Sequence, residues 1–474
     1  MIFARIGTII TDGFNVLVLA YFILLNLIYL STSVVAFRSL RRYVRRLKAL
    51  EIEELLTSSG APPITLIAPA YNEEATCVEA TRSLSLLKYP QYEILVVNDG
   101  SSDKTHERLA EAFELIPAYR QPTANLKTAA VRGVYRSQRL PNLWVIDKEN
   151  GGKADALNVG IHYCRTPLFC AMDADSLLER EALVRIVRPF LEDARTVAAG
   201  GIIRIVNGCE VHEGGVTKIG LPKNLLARFQ VLEYLRAFMS GRMGWDALGL
   251  TLIISGAFGV FRRSVVVDVE GYRTDTVGED MELVVRLHRH CRQNKIPYRI
   301  SYVADPVAWT ECPESPRVLG RQRDRWQRGL YETMTRHQKM LGNPRYGRIG
   351  LVAFPYFYIL EMLGPVIEMF GYLFFTMALI LGRASGPYIL AFFTAAFAFG
   401  VVISVTAVAL EELSFHRYPR VSDLFKLFLL AVLENFGYRQ LTSFWRIRGF
   451  ISALRRVKGW GKMERKGFSV ETTT

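Results

Sequence analysis

Long uncharged apolar stretches divide this chain into a middle and two ends. Phe14 to Phe37 (FNVLVLAYFILLNLIYLSTSVVAF) carries no charge, and about 20 apolar residues suffice to cross a bilayer. The stretch lacks a small-residue cleavage signature and exceeds a signal-peptide core, so it predicts an N-terminal anchor. Apolar sequence returns from Ile349 to Leu381 and from Tyr388 to Leu410. The first of these is too long for one straight crossing: at ~1.5 Å per residue it overshoots a ~30 Å core by more than half. Pro355, Glu361, Gly364, Pro365 and Glu368 lie inside it, which predicts a bent helix whose early part lies at the interface, with a hairpin as the alternative. The two glutamates either face protein or a polar cavity, or neutralise nearby Arg or Lys. Leu424 to Arg446 sets Lys426, Glu434, Asn435, Arg439 and Gln440 around a short LFLLAVL run. That pattern predicts an amphipathic helix lying on the membrane, giving three spans in all.

Between the apolar ends, short strand patterns alternate with helical ones. Ile64–Ala68, Glu93–Val97, Leu143–Ile146 and Leu168–Met172 read as strands; Ala75–Leu87, Lys104–Phe113 and Lys153–Cys164 read as helices. This alternation predicts an α/β domain with a mixed, mostly parallel sheet covered on both faces. The chain then divides into an anchor with a basic juxtamembrane segment (1–50), a cytoplasmic α/β domain (51–347), and transmembrane and interfacial helices with a basic tail (348–474). Residues 117–142 look like an insertion and Cys209–Asn224 like a surface loop. No strand runs into GxGxxG or GxxxxGK[ST], so neither a dinucleotide fingerprint nor a P-loop is present.

Composition and charge sharpen this picture. At 474 residues the chain exceeds a single core of about 250–300 residues. With 59 Lys+Arg against 45 Asp+Glu the net charge is +14, which suggests an anionic surface or a phosphate-bearing substrate as partner. Much of the excess flanks the membrane. Arg38, Arg41, Arg42, Arg45, Arg46 and Lys48 follow the first stretch, and Arg446, Arg448, Arg455, Arg456, Lys458, Lys462, Arg465 and Lys466 end the chain. The positive-inside rule puts both sets, and the α/β domain, in the cytoplasm of a bacterial inner or other plasma membrane. These charges fit membrane lipids, and no nucleic acid is needed to explain them. The six scattered cysteines contain no CxxC, which excludes a disulfide scaffold and a structural zinc site.

The chemistry sits at strand ends, where open α/β sheets bind ligands. Asp173 and Asp175 flank one residue, so in an extended chain they share a face; paired hard oxygens suit Mg²⁺ or Mn²⁺. Asp99 closes a strand, followed by Ser102 or Asp103 as a helix cap. Glu279-Asp280 opens a helical pattern, either as a capping anion or as a general base. Gln322-Arg323-Asp324-Arg325-Trp326 combines phosphate-binding guanidinium groups with a ring that stacks on sugars; a juxtamembrane basic helix with an interfacial Trp is the alternative.

Taken together, TLIAPAYNEE, VVNDGSSDKT, ENGGKADALN, MDADS, VGEDMELVVRLHR and QRDRW, in that order and ahead of membrane helices, resemble the membrane-embedded processive family-2 glycosyltransferases, the synthases of poly-N-acetylglucosamine, hyaluronan, chitin and cellulose. The resemblance covers about residues 60–330. It implies a GT-A nucleotide-sugar-binding fold, an inverting mechanism and a divalent metal, Mg²⁺ or Mn²⁺. By the same resemblance Tyr71, Glu73 and Asp99 line the nucleoside pocket and Lys153 approaches the nucleotide. Asp173 and Asp175 hold the diphosphate through the metal, and Asp280 is the base with Glu279 beside it. Gln322, Arg325 and Trp326 close over diphosphate and acceptor, and Ser255 and Gly256 lie near the acceptor. The expected partners are a UDP-sugar donor (UDP-N-acetylglucosamine or UDP-glucose), a growing glycan, and a partner subunit or second copy, since three spans enclose little room for a sugar chain. The alternative function is addition of one sugar to a lipid acceptor. A dead scaffold is the non-enzymatic reading, against which the intact acidic and Arg-Trp motifs stand.

Overall fold

The computed structural model describes residues 2–47, 60–174, 176–212, 214–418 and 420–457. Asp175, Lys48, Lys458, Lys462, Arg465 and Lys466 lie outside the described residues.

The main sheet has ten strands. They are β1 (Ile64–Ala70), β2 (Tyr92–Asp99), β3 (Leu115–Pro117), β4 (Val131–Ser137), β5 (Leu143–Lys148), β6 (Leu168–Met172), β7 (Leu177–Leu178), β8 (Thr196–Ile205), and, after a separate hairpin of β9 (Glu210–His212) and β10 (Gly215–Lys218), β11 (Phe258–Arg262) and β12 (Arg299–Thr310). Their order is β3-β4-β5-β2-β1-β6-β11-β8-β12-β7. The four strands legible in the sequence form its parallel centre, β5-β2-β1-β6. β4, β11 and β7 run against the rest, and the remaining seven strands point one way. The sheet is thus mixed and mostly parallel, as expected.

Successive side chains of a strand leave opposite faces. Accordingly Ile64, Leu66 and Ala68 of β1 enter one apolar core while Ile67 enters the other, and Ile94 and Val96 of β2 oppose Leu95 and Val97. Burial of both faces is why these strands read as unbroken apolar runs. Residues 117–142 are not a simple insertion: β4 lies within them and joins β3 to extend the sheet edge beyond β5. The segment Cys209–Asn224 contains the β9–β10 hairpin rather than a plain loop.

The apolar ends are helical. A continuous helix runs over Ile2–Leu47. Residues 386–414 form a second continuous helical stretch, and Ile349–Met362 and Gly364–Ile380 form a pair bent by 44°. Among the described residues, two helices are therefore long and apolar enough to cross a membrane, or three if the bent pair is one span. The tail forms two helices, Val421–Leu433 and Tyr438–Leu454, separated at Gly437. Glu434 and Asn435, which suggested a polar outer face, are instead buried. Glu434 pairs with Arg236 and accepts from Ser404.

Side chains tie these helices to the sheet. Tyr43 on the first helix donates to Asp305, which Arg185 also meets at 3.2 Å. Arg204 of β8 pairs with Glu411 at 2.6 Å, and Arg417 with Glu179 at 2.5 Å. The Arg204–Glu411 pair is almost wholly buried, so removing either partner alone strands a charge.

Candidate active site

The loops at the carboxyl ends of β1 and β2 are laced together. Asn72 adopts φ 56°, and its carboxamide oxygen accepts from Ser102 N–H at 2.8 Å. Glu73 N–H donates to the Thr105 hydroxyl at 2.9 Å, and Glu74 N–H to Asp103 at 3.1 Å. Asp103 also accepts from Thr105 N–H at 3.0 Å, although the cap position itself falls on Lys104, one residue later than expected, and carries no side-chain cap bond. These bonds hold its carboxyl below the usual range despite some burial.

Asp99 is 2% exposed. It pairs with the fully buried Lys148 and accepts from Gly151 N–H (3.0 Å) and Gly152 N–H (2.8 Å). Lys148 reaches on to Asp155 at 2.7 Å. Asp99 therefore shapes the glycine turn that begins the helix over Lys153–Tyr163. Gly100 at φ +65° completes this fit, since a Cβ there would meet Asn150 N at 2.6 Å. Lys148 gave no signal in the sequence, because Asp99 is brought to it only by the pairing of β2 with β5.

Lys153, at that helix start, is the centre of the acidic group. Its ammonium lies 2.5 Å from Asp173, 3.4 Å from Glu279 and 3.4 Å from the Gly256 carbonyl. Burial opposes its charge, but Asp173 and Glu279 outweigh burial and hold the ammonium above the ordinary lysine range. Burial pushes Glu279 upward; Lys153 pulls it back and Asp280 adds to the rise. Asp280 accepts from Gly256 N–H at 3.1 Å and from Met281 N–H at 2.8 Å. Both carboxylates occupy the first turn of the helix Glu279–Gln293, where the dipole favours anions.

The helix Pro316–Arg336 brings the last motif. Gln322, Arg325 and Trp326 line the same cavity as Lys153, Asp173, Glu279 and Asp280. Arg323 lies across the Trp326 ring at 4.2 Å and pairs with Glu233 at 2.7 Å. Close approach of two glycines sets this helix against the carboxylates: a Cβ on Gly278 or Gly329 would meet the other's Cα at 2.8 Å. Glu332 fastens the contact by accepting from Thr276 Oγ1 at 2.8 Å and Val277 N–H at 3.0 Å. Neither glycine nor Glu332 was singled out from the sequence, although Gly278 and Gly329 each border a motif.

The cavity holds about 1900 Å³. Tyr71, Glu73, Asp99, Ser255 and Gly256 also line it, so every site residue expected from the sequence and described here shares one wall-to-wall space. It continues among the membrane helices past Tyr29, Glu361, Glu368, Gly400, Arg439 and Thr442. Glu361 accepts from Tyr29 (2.9 Å) and Tyr356 (2.8 Å) and lies 3.5 Å from Arg446; Glu368 accepts from Ser443 at 2.9 Å. Both sequence readings hold for Glu361, which faces the cavity and meets an arginine. Among the described residues no three acidic, histidine or cysteine side chains gather as a metal site; Asp173 offers hard oxygens of the kind that suit a divalent cation, and it already pairs with Lys153 at 2.5 Å.

The chain is similar to known proteins. The model of the glycosyltransferase like family 2 matches residues 62–329. A poly-beta-1,6-N-acetyl-D-glucosamine synthase from Staphylococcus aureus (strain COL) is 28% identical over 274 residues, 58% of this chain and 56% of the relative. The Staphylococcus epidermidis synthase is 27% identical over the same length. The chain thus matches little more than half the length of these relatives. The mannosyltransferase PcManGT from Pyrobaculum calidifontis, solved with GDP-Man and Mn²⁺, superimposes with a TM-score of 0.53 at 17% identity, covering 92% of this chain and 100% of that one. The fold is therefore of the GT-A type, and with its family model spanning more than half of its residues, the chain belongs to the family-2 glycosyltransferases.

Proposed function

We propose that this protein is an inverting, metal-dependent glycosyltransferase that uses a UDP-sugar, UDP-N-acetylglucosamine or UDP-glucose, to elongate a β-linked polysaccharide at the membrane and pass it through. The observation that carries this reading is the meeting of Lys153, Asp173, Glu279, Asp280 and Trp326 in one cavity that runs on between the membrane helices. The similarity to poly-N-acetylglucosamine synthases supports a polysaccharide product.

Tyr71, Glu73 and Asp99 hold the nucleoside end, with Asp99 acting through the Gly151–Gly152 turn it fixes. Asp173 and Asp175 would hold Mg²⁺ or Mn²⁺, which would supply positive charge to the diphosphate. Lys153 and Arg325 add fixed positive charge to the same leaving group. Trp326 gives the acceptor sugar a flat apolar face, beside Ser255 and Gly256. Asp280, oriented by Gly256 N–H and Met281 N–H, takes the acceptor hydroxyl proton as the oxygen attacks the anomeric carbon. Attack opposite the departing diphosphate inverts the configuration. Glu279 beside it adds to the local negative potential, and Lys153, 3.4 Å from Glu279, offsets part of it. The catalytic domain faces the cytoplasm, where nucleotide sugars are made, with the basic flanks on the same side.

A screen of UDP-sugars with Mg²⁺ or Mn²⁺, followed by linkage and length analysis, tests this. A long β-linked product supports the reading. A single sugar on a lipid replaces it with the lipid-acceptor alternative, and no release of nucleoside diphosphate from any donor refutes both.

A further inference from the structure

The bend between Ile349–Met362 and Gly364–Ile380 has a chemical cause. Pro365 has no N–H to give the Glu361 carbonyl four residues before it. The Val366 N–H, whose regular acceptor is the Met362 carbonyl, turns instead to the Leu363 carbonyl at 3.0 Å, which the Ile367 N–H also meets in the ordinary helical way at 3.1 Å. The carbonyls of Glu361 and Met362 are thereby deprived of their helical donors in an apolar segment, where unpaired backbone groups are costly.

Two side chains from other elements supply those donors. Gln327 Nε2 donates to the Met362 carbonyl at 2.8 Å, and Arg446 Nη2 to the Glu361 carbonyl at 2.5 Å. The two are themselves joined, Arg446 Nε donating to Gln327 Oε1 at 2.9 Å. This chain of bonds fixes the orientation of the carboxamide, since the flipped group would set nitrogen against the guanidinium and oxygen against a carbonyl. Gln327 is 2% exposed. It follows Trp326 directly on the helix Pro316–Arg336, so one peptide link separates the cavity's stacking ring from the bend. Arg446 belongs to the helix Tyr438–Leu454, which packs tightly on the Trp326 helix: a Cβ on Gly449 would meet Asp324 O at 2.5 Å, and one on Gly320 would meet Trp445 Nε1 at 2.8 Å.

We propose that Gln327 and Arg446 are positioning residues. They clamp the broken membrane helix to the helix that carries Trp326, and so set where the acceptor end sits relative to the membrane part of the cavity. The clamp acts on acceptor placement, not on the donor site. This rests on the transferase reading for its kinetic consequence, but the clamp itself is a statement about helix geometry.

The full-length protein in lipid nanodiscs tests both. Spin labels at Leu351→Cys and Ile380→Cys, positions exposed at the two ends of the bent pair, report the bend. UDP-N-acetylglucosamine with N-acetylglucosamine oligosaccharide primers reports the two Michaelis constants. Gln327→Leu, which removes both the donor to Met362 and the acceptor for Arg446 while keeping similar bulk, should broaden the label distance distribution. It should also raise primer KM roughly 5- to 10-fold, the scale of one lost hydrogen bond, with donor KM changed by less than about twofold. Arg446→Lys, which keeps one donor, should fall between. Pro365→Ala restores the missing N–H to Glu361 and should narrow the bend with Gln327 intact. The clamp is overturned if Gln327→Leu leaves the label distances as narrow as before, if primer KM is unchanged, or if donor KM rises in step with it. Absence of any transfer by the unsubstituted protein would sink the transferase reading instead, and the label distances would still decide the clamp.

Discussion

At the scale of single residues, the site is an arrangement of four charges. Lys153 sits among Asp173, Glu279 and Asp280, and its ammonium lets three carboxylates share a partly buried space. Asp280→Asn preserves size, but it sets an NH₂ against one of the two backbone N–H groups that Asp280 accepts from and cannot take the acceptor proton. It should keep donor affinity by calorimetry while turnover falls about 10²–10⁴-fold, and robust turnover would refute the base assignment. Lys153→Met removes the positive charge that faces both the leaving group and Glu279. Its kcat/KM should drop about 10²-fold or more, with the loss showing in kcat when nucleoside diphosphate release is followed. Asp173 was legible in the sequence because it ends a strand, where side chains leave the sheet toward ligand; Glu279 and Asp280 were legible as anions at a helix start, and Lys153 and the base role of Asp280 came only from the family resemblance. Lys148 was not, because nothing local distinguishes a lysine destined for burial between Asp99 and Asp155.

At the scale of elements, the helix bearing the carboxylates and the helix bearing Trp326 must meet at backbone distance. Gly329→Ala places a Cβ 2.8 Å from Gly278 Cα. It should cost about 1–3 kcal/mol of stability by thermal or denaturant unfolding, as overpacking does. Activity should fall further than stability, because misplacing the two motifs by a fraction of an ångström spoils alignment. Glu282 locks the same two helices from inside: it accepts from His337 at 3.1 Å and pairs with Arg286 at 2.8 Å. Burial raises its pKa, but His337 and Arg286 together hold it below the usual glutamate value. A depressed folded-state pKa stabilises the fold above the unfolded value, and that stabilisation is lost as pH falls through the folded one. Glu282→Gln should therefore lower the melting temperature at neutral pH, and the difference from the unsubstituted protein should shrink on acidification below about pH 4. A gap that stays constant with pH would contradict this account.

At the scale of the whole molecule, the cavity joins chemistry to the membrane. Its polar lining reaches Thr442 and Arg439 among helices that carry otherwise apolar sequence. Thr442→Trp should obstruct that end. Long product should then be replaced by short chains on a gel, while nucleoside diphosphate release per enzyme stays within about twofold, since uniform donor binding is untouched. Equal loss of both would mean the substitution disturbs the catalytic end as well.

Local pattern alone determined the apolar helices, the parallel centre of the sheet and the strand-end motifs. Each of these follows from periodicity or from short-range spacing. It also carried the break near Pro365, because a missing N–H is a property of the residue itself. Pattern did not reveal β8, whose TVAAGGIIRI sequence owes its strand to burial between β11 and β12 rather than to bulky β-formers. Nor did it reveal β4, hidden in a polar stretch at the sheet edge. Tertiary structure alone decided that Glu434 is buried against Arg236, that Gly278 meets Gly329, and that Gln327 and Arg446 occupy the broken helix. These pairings join residues tens to hundreds of positions apart, and only packing of the complete chain brings their donors and acceptors within bonding distance.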